Sequence, residues 1–409
     1  MLISVSYHHG NMLVGLLGKT NVGKSTFFNA ATQLNAPVAS HPFTTINPNV
    51  GIGYTRVKCV CTEFSVKDNP IHSACVEGNR FIPVKLIDVA GLVPGAHEGR
   101  GLGNKFLDDA RQSDALIHVV DASGSTDSEG RTCPPGTQDP MYDVEFVEKE
   151  FDLWLTSIMQ RDWDKTVREA EHQGQKLEQL LAKKLSGLAI SESHVLEVLG
   201  KFKMKKPSTW SKDDLFEFCK TLRMKSKPVI IAANKADIPP ADQNIEKMKK
   251  SGRMVMPCAS EAELLLRRAA AKGLIYYLPG DASFEVKKNV SLTDEQKKAL
   301  DLVSTLMSKM GSTGVQEVIN KACFELLKLI VVYPVEDDAK LTDKKGNVLP
   351  DAYMVRIGST ARDLAAAIHS DLAKGFLHAV DARSKQRLGA DHALKNGDVI
   401  KIVSTMSRG

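Results

Sequence analysis

A chain of 409 residues exceeds what one hydrophobic core usually serves, so two or three domains are expected. With 43% hydrophobic and 25% charged residues it has the make-up of a soluble globular protein, and no segment reaches the roughly 18 apolar residues that a membrane-spanning helix needs. The net charge of +5 is compatible with an RNA-rich partner without pointing to one; no DNA or membrane partner is expected, and the seven cysteines, with no C-x-x-C pair, read as reduced thiols of a cytoplasmic protein.

Asn11 to Leu17 is an apolar run that reads as a buried strand, with a helix opening near Lys24. Between them Gly18-Lys19-Thr20-Asn21-Val22-Gly23-Lys24-Ser25 has the spacing G-x-x-x-x-G-K-[ST]. The glycines let backbone N–H groups close around a phosphate, and the helix N-terminus, with Thr26 in its first turn, adds partial positive charge. Lys24 would reach the β- and γ-phosphates, and the Ser25 hydroxyl would ligate Mg²⁺. His41-Pro42-Phe43-Thr44-Thr45-Ile46 follows, a polar loop in which Thr45, or Thr44 as the alternative, would complete the Mg²⁺ shell. Cys59 and Cys61 fit one face of a strand. Phe81 to Ile87 reads as a strand running into Asp88-Val89-Ala90-Gly91, where the carboxylate would hold Mg²⁺ and the Gly91 N–H would approach the γ-phosphate.

Ala115 to Val120 is a third strand, ending at Asp121, and Ser123 to Pro140 reads as a loop. Val144 to Lys184 and Lys201 to Arg223 have helical periodicity, predicting an inserted helical subdomain, a hairpin or a coiled coil. Pro228 to Ala233 is a fourth strand, closed by Asn234-Lys235-Ala236-Asp237. The Asp237 carboxylate can accept both guanine N1–H and the 2-amino group; adenine lacks that pair and would leave the carboxylate desolvated and unpartnered. Asn234 would brace the loop, and the Lys235 stem would lie over the base. Met254 to Pro257 is a short fifth strand, after which Cys258-Ala259-Ser260 would supply backbone N–H to guanine O6. Strands alternating with helices imply a parallel α/β sheet with its ligand at the strands' carboxyl ends.

A helical connector spans Thr293 to Leu329. Beyond it a small α+β domain is predicted, with strands at 329–332, 353–357 and 399–403 and a helix from Thr360 to Leu372. The expected domains are therefore a nucleotide-binding domain at 11–140 and 225–290, an insertion at 141–224, a connector at 291–329 and a terminal domain at 330–409.

On these residues the chain resembles the Obg family of P-loop GTPases, in its archaeal-type YchF branch. The marks are Asn21 in the phosphate loop, Pro42 to Asn49, Asp88-Val89-Ala90-Gly91-Leu92-Val93-Pro94-Gly95-Ala96 and Gly99 to Phe106. The C-terminal segment resembles a TGS domain, a β-grasp module, at Leu349-Pro350-Asp351-Ala352, Ser359 to Leu364 and Leu394 to Ile400. The resemblance implies slow GTP hydrolysis, ribosome-linked work in translation or ribosome biogenesis, and a cytoplasmic location. Relatives that prefer ATP have lost the base-reading aspartate, which is kept here as Asp237. Two departures stand out: the usual Ser-Ala of the last guanine loop reads Ala259-Ser260, and Met1 to Gly10 precede the family's usual start, so that either Met12 opens the functional chain or the extension is genuine.

In Ras-type GTPases a glutamine after D-x-x-G orients the attacking water; here Leu92 stands there and cannot. Either another group supplies the role or intrinsic turnover is slow. Asn21 offers two readings, a ligand for a K⁺ ion that acts as an arginine finger or an amide that stabilises the loop. His97 and Glu98 are candidate water-positioning groups or solvated loop residues, in a glycine-rich stretch that would order around the γ-phosphate. Basic runs at Lys201-Phe202-Lys203-Met204-Lys205-Lys206 and at Lys374, Arg383, Lys385 and Arg387 could meet rRNA phosphates or be solvated faces. The alternatives to a GTP-hydrolysing switch are a nucleotide-gated binding module with negligible hydrolysis, and an ATPase.

Overall fold

The computed structural model describes residues 12–32, 49–89, 112–188, 190–202 and 205–405. Its centre is a seven-stranded sheet. The path runs β2 (Val50–Lys58), β4 (Asn79–Asp88), β1 (Leu13–Leu17), β5 (Ala115–Asp121), β6 (Val229–Asn234), β7 (Val255–Pro257), with β3 (Ala74–Val76) also on β4. β1 pairs in parallel with β4 and β5, β5 with β6 and β6 with β7, while β2 and β3 are antiparallel to β4.

The apolar runs are continuous because both faces of the sheet are covered. Val14, Leu16, Ile117 and Val119 face a core shared with Phe27 of α1 (Lys24–Thr32). On the other face Leu17, Leu116 and Val120 meet Val144, Val147 and Phe151 of α2 (Pro140–Gln160). In register, Leu16 lies beside Asp88, and Asp121 beside Asn234. The strand ends that carry the motifs are therefore neighbours.

Several strands escape the sequence pattern, β2 among them. β2, with Gly51 and Gly53, lacks a clean alternation; a Cβ at Gly51 would lie 2.5 Å from the Thr32 methyl, so glycine lets α1 lie close to the strand. Cys59 and Cys61 are not on a strand, as the pattern suggested: β2 stops at Lys58, and Val60–Thr62 forms a 3₁₀ turn. The Cys59 N–H bonds the Gly78 carbonyl at 2.7 Å, closing an excursion over 59–78 at the point where the antiparallel pair opens.

The insertion is neither a simple hairpin nor a long coiled coil. Its helices are α2, α3 (Trp163–Gln173), α4 (Leu177–Lys184), α5 (Glu192–Leu199) and α6 (Lys212–Ser226). Gly174 ends α3 in the left-handed conformation at φ 65°, and the helices converge on Leu155, Trp163, Leu181, Val195, Phe218 and Leu222. Trp163 stacks on Trp210 at 5.2 Å, and Phe202 packs edge-on to Phe218 at 5.6 Å. α2 and α6 are tied by a buried fork, Arg223 Nε to Asp152 Oδ1 at 2.8 Å and Nη2 to Oδ2 at 3.2 Å.

After α7 (Ala241–Lys250), α8 (Ser260–Ala271) and a two-stranded ribbon of β8 (Ile275–Tyr276) and β9 (Glu285–Val286), the connector holds α9 (Asp294–Met310), capped by Thr293 with Gln296 reaching back, and α10 (Val315–Lys321). α10 widens into a π turn over 322–326 and inserts Val315, Val318 and Ile319 into the same core as the central sheet. The C-terminal sheet has the order β11 (Tyr353–Arg356), β10 (Leu329–Val335), β14 (Val399–Ser404), β12 (Phe376–Asp381), β13 (Arg387–Leu388), with β10 and β14 parallel. The single helix predicted from Thr360 to Leu372 is two, α11 (Ala361–Ile368) and α12 (Ser370–Lys374), because His369 turns extended and caps Asp371 through Nδ1. Among the described residues no helix is long and apolar enough to cross a membrane.

Arg223→Ala would strand the buried Asp152 carboxylate, a loss of about 3–5 kcal/mol. All three tryptophans, Trp154, Trp163 and Trp210, lie in the insertion, so tryptophan fluorescence during urea unfolding reads its stability directly. A change below about 1 kcal/mol would mean that the fork holds nothing together.

Candidate nucleotide-binding site

The phosphate loop leaves β1 at Leu17 and enters α1 at Lys24. Gly18 and Gly23 both have positive φ, 152° and 91°, and neither has room for a side chain. A Cβ on Gly18 would stand 2.5 Å from the Val119 carbonyl oxygen, and one on Gly23 2.2 Å from Asn234 Nδ2. Asn21 takes a left-handed conformation (φ 61°) and donates its amide to the Gly130 carbonyl at 2.8 Å. Val22 is buried, Ser25 is exposed and Thr26 is half-buried at the helix start.

Three lysines around this loop each hold an aspartate. Lys24 Nζ contacts Asp88 Oδ1, placing an ammonium on the carboxylate expected to face a metal. Lys19, buried, bonds the carbonyls of Thr126 and Asp127 at 2.8 and 2.7 Å and pairs with Asp143 at 2.7 Å. Lys235 Nζ lies 2.7 Å from Asp121 Oδ2, 3.1 Å from Ser125 Oγ and 3.2 Å from Thr126 Oγ1. Burial opposes the charge on Asp121, but bonds from Lys235, Ser123 and Thr126 prevail and hold its carboxyl below its ordinary value. The Lys235 head is thus committed to Asp121, leaving only its stem to flank a base.

Asn234 is the brace that the sequence suggested. Its Nδ2 donates to the Val22 carbonyl at 2.9 Å and its Oδ1 accepts from the Ser260 N–H at 3.0 Å. Asp237 is exposed, and among the described residues no hydrogen bond engages its carboxylate. The loop at 258–260, expected to offer N–H donors to guanine O6, is arranged otherwise. The Ala259 N–H is taken by the Thr313 carbonyl at 2.9 Å and the Ser260 N–H by Asn234, so the donors left at the start of α8 are those of Glu261 and Ala262. That loop is anchored from the connector: buried Glu263 binds Arg267 at 2.5 Å, the Tyr277 hydroxyl at 2.6 Å and the Thr313 hydroxyl.

Thr44, Thr45, Gly91, Leu92, His97 and Glu98, and the extension before Met12, lie outside the described residues. So do Lys203 and Met204 of the first basic run, where the half-buried Phe202 packs against the helical core and Lys205 pairs with Asp214 at 2.7 Å. In the second run Arg383 is spent on Glu63 at 2.6 and 2.7 Å, Lys385 on Asp338 and Lys374 on Asp371. Arg387 is exposed, with no ion pair among the described residues.

The roles of Lys19, Asp121, Asp143 and the segment 123–130 went unread in the sequence, where Asp121 was only a strand end and 123–140 only a loop. The signal was there: an aspartate closing the strand between the two acidic motifs, followed at once by Ser123, Ser125 and Thr126, whose hydroxyls donate to it at 2.6, 2.9 and 2.5 Å.

Three family models match successive parts of the chain: a 50S ribosome-binding GTPase over residues 13–144, the G4 motif-containing domain of YGR210-like Obg-like GTPases over 232–337, and a TGS domain over 340–404. An uncharacterized GTP-binding protein of Methanocaldococcus jannaschii is 51% identical across 96% of this chain and 99% of its own. The ribosome-binding ATPase YchF of Bacillus subtilis is 28% identical across 95% of this chain and 98% of its own. The crystal structure of a GTP-binding protein from Pyrococcus horikoshii OT3 superposes with a TM-score of 0.77 at 41% identity, over 96% of this chain and 100% of that one. Motifs gathered at one edge of the sheet and likeness along almost the whole length place the chain in the Obg-like, YchF-type GTP-binding proteins, a P-loop GTPase domain followed by a TGS domain.

Proposed function

We propose that this protein is a Mg²⁺-dependent, GTP-hydrolysing switch that works with ribosomes or rRNA in the cytoplasm. The observation that carries the nucleotide choice is Asp237, an exposed carboxylate with no hydrogen-bond partner among the described residues, on a loop locked to the phosphate loop through Asn234. Its two acceptor oxygens match the paired donors of guanine, and adenine would leave them unpartnered.

The phosphate loop binds by its backbone N–H groups and by Lys24, which must exchange Asp88 for phosphate oxygens as the nucleotide arrives. Ser25 and Asp88 offer the oxygen ligands that suit Mg²⁺, and the ammonium resting on Asp88 marks that carboxylate as a place for a cation. When bound, the ion would neutralise phosphate charge; Thr45 and the Gly91 N–H are proposed to complete the contacts to the ion and the γ-phosphate. Leu92 in place of a water-orienting glutamine fits slow unassisted turnover. A K⁺ role for Asn21 would fall to its amide oxygen, since Nδ2 donates to the Gly130 carbonyl.

The name of the Bacillus subtilis relative supports both a ribosomal partner and a rival reading, hydrolysis of ATP. The spent N–H groups of Ala259 and Ser260 favour that rival, since they weaken recognition of guanine O6.

Turnover of GTP and of ATP, each in K⁺ and in Na⁺ and with or without ribosomes, separates these readings. GTP-selective turnover stimulated by ribosomes is expected; ATP turnover would transfer the site to the rival, and no turnover at all would leave a binding module. Equal rates in K⁺ and Na⁺ would remove potassium from the mechanism.

Asp237→Ala is expected to weaken GTP binding about tenfold to a hundredfold, the worth of a hydrogen-bonded pair to a charged acceptor, while ATP binding stays within about threefold. Equal losses for both nucleotides, read by competition against a fluorescent GTP analogue, would mean that the residue supports the loop rather than reads the base. Lys24→Ala should lower turnover by about a hundredfold or more. A near-normal single-turnover rate in that variant would deny Lys24 its phosphate contact.

A further inference from the structure

The excursion between β2 and β4 carries a cluster that nucleotide chemistry does not use. Cys59, Cys61, Cys75 and Asp68 bring their donor atoms within 4.8 Å of one another. Cys59, which leads into the 3₁₀ turn, and Cys61 within it are buried, Cys75 lies on β3, and the Asp68 side chain is 9% exposed. Cys61 Sγ and Cys75 Sγ are 3.8 Å apart, and Cys59 Sγ is 3.3 Å from Asp68 Oδ2.

These separations suit one ion. Two sulfurs each about 2.3 Å from a tetrahedral Zn²⁺ stand about 3.8 Å apart, whereas a disulfide would draw them to about 2.05 Å. A disulfide would also use two of the three thiols and leave the third beside an idle carboxylate. We propose that Cys59, Cys61, Cys75 and Asp68 bind a structural Zn²⁺ ion that closes the 59–78 excursion and thereby holds the C-terminal domain on the nucleotide-binding sheet.

The surroundings supply what such a site needs. Arg80, fully buried, donates from Nη2 to Asp68 Oδ2 at 3.0 Å and from Nη1 to Ser73 Oγ at 2.9 Å, fixing the carboxylate and offsetting part of the ligands' negative charge. With four protein donors no coordination position stays open, as in structural zinc sites.

The same excursion grips the C-terminal domain. Asn69 N–H bonds the Val348 carbonyl at 3.1 Å, Ile71 N–H the Pro350 carbonyl at 2.8 Å, and Arg80 Nη2 the Leu349 carbonyl at 2.9 Å. Glu63 meets Arg383 in a two-pronged pair, and His72 Nδ1 lies 2.7 Å from Asp351. An ion that fixes 59–78 would therefore fix this seam.

The full-length chain, purified under reducing conditions without a metal-binding tag, should carry about one zinc per chain by elemental mass spectrometry. Co²⁺ in its place should give the strong visible d–d and sulfur-to-metal charge-transfer absorption of a tetrahedral thiolate site. Cys61→Ser, Cys75→Ser and Asp68→Asn should each lose most of the metal while Cys133→Ser, remote from the cluster, keeps it. Removing the zinc with a chelator should speed proteolysis within 59–78. Should the cysteine variants fail to fold, the wild-type cobalt spectrum decides alone. Folded wild-type protein that takes up neither zinc nor cobalt stoichiometrically, or that carries a Cys61–Cys75 disulfide after reducing purification, would overturn the site.

Discussion

The arrangement of the nucleotide site rests on one buried side chain. Asn234 joins the end of β6 to the phosphate loop through the Val22 carbonyl and to the start of α8 through the Ser260 N–H. Both ends of its amide are satisfied in a place where an orphaned polar group would cost about 1–3 kcal/mol, so the loops have little freedom to drift apart. The same side chain explains Gly23, since its Nδ2 occupies the space that any Cβ there would need. A residue of the Asn234-to-Asp237 motif thus dictates a residue of the phosphate loop, more than 200 positions away in the chain.

Around that brace the charges are arranged in opposed pairs. Lys19, Lys24 and Lys235 meet Asp143, Asp88 and Asp121, and each aspartate stands at a strand end or in the first turn of α2. Such pairing keeps a dense set of cations from repelling one another before a polyphosphate arrives. The three pairs differ in what they permit. Lys19 and Lys235 have several further partners on the segment 123–130 and act as fixtures, whereas Lys24 has only Asp88 among the described residues and is the one that can be released to a ligand.

The C-terminal domain is not a loosely tethered appendage. Val331, Tyr333 and Val335 on one face of its sheet enter the same core as Val14, Leu16 and Ile82, with α10 between them. The other face packs on Ala361 and Leu364 of α11. Arg383, one of the bases that resembled a nucleic-acid contact, is instead part of this seam, lying over the Phe64 ring at 5.2 Å and paired with Glu63. The TGS domain and the nucleotide-binding sheet thus share one packed core.

The linear sequence was enough for whatever depends on local spacing. The phosphate loop, Asp88, the Asn234-to-Asp237 motif and the strands that carry them are legible because parallel strands buried on both faces read as continuous apolar runs and their motifs follow at fixed short distances. It was not enough where a residue's role depends on what lies opposite. Cys59 and Cys61 alternate like strand residues but turn away where β2 leaves its partner, and Arg383 looks like a free base until Glu63 is brought to it from 320 positions earlier. The Ala259 and Ser260 donors look available until the Thr313 carbonyl and Asn234 are seen to hold them. Hydrogen bonds and ion pairs between distant segments have no period and leave no local mark, so only the folded chain decides which polar groups are spent and which remain for a ligand.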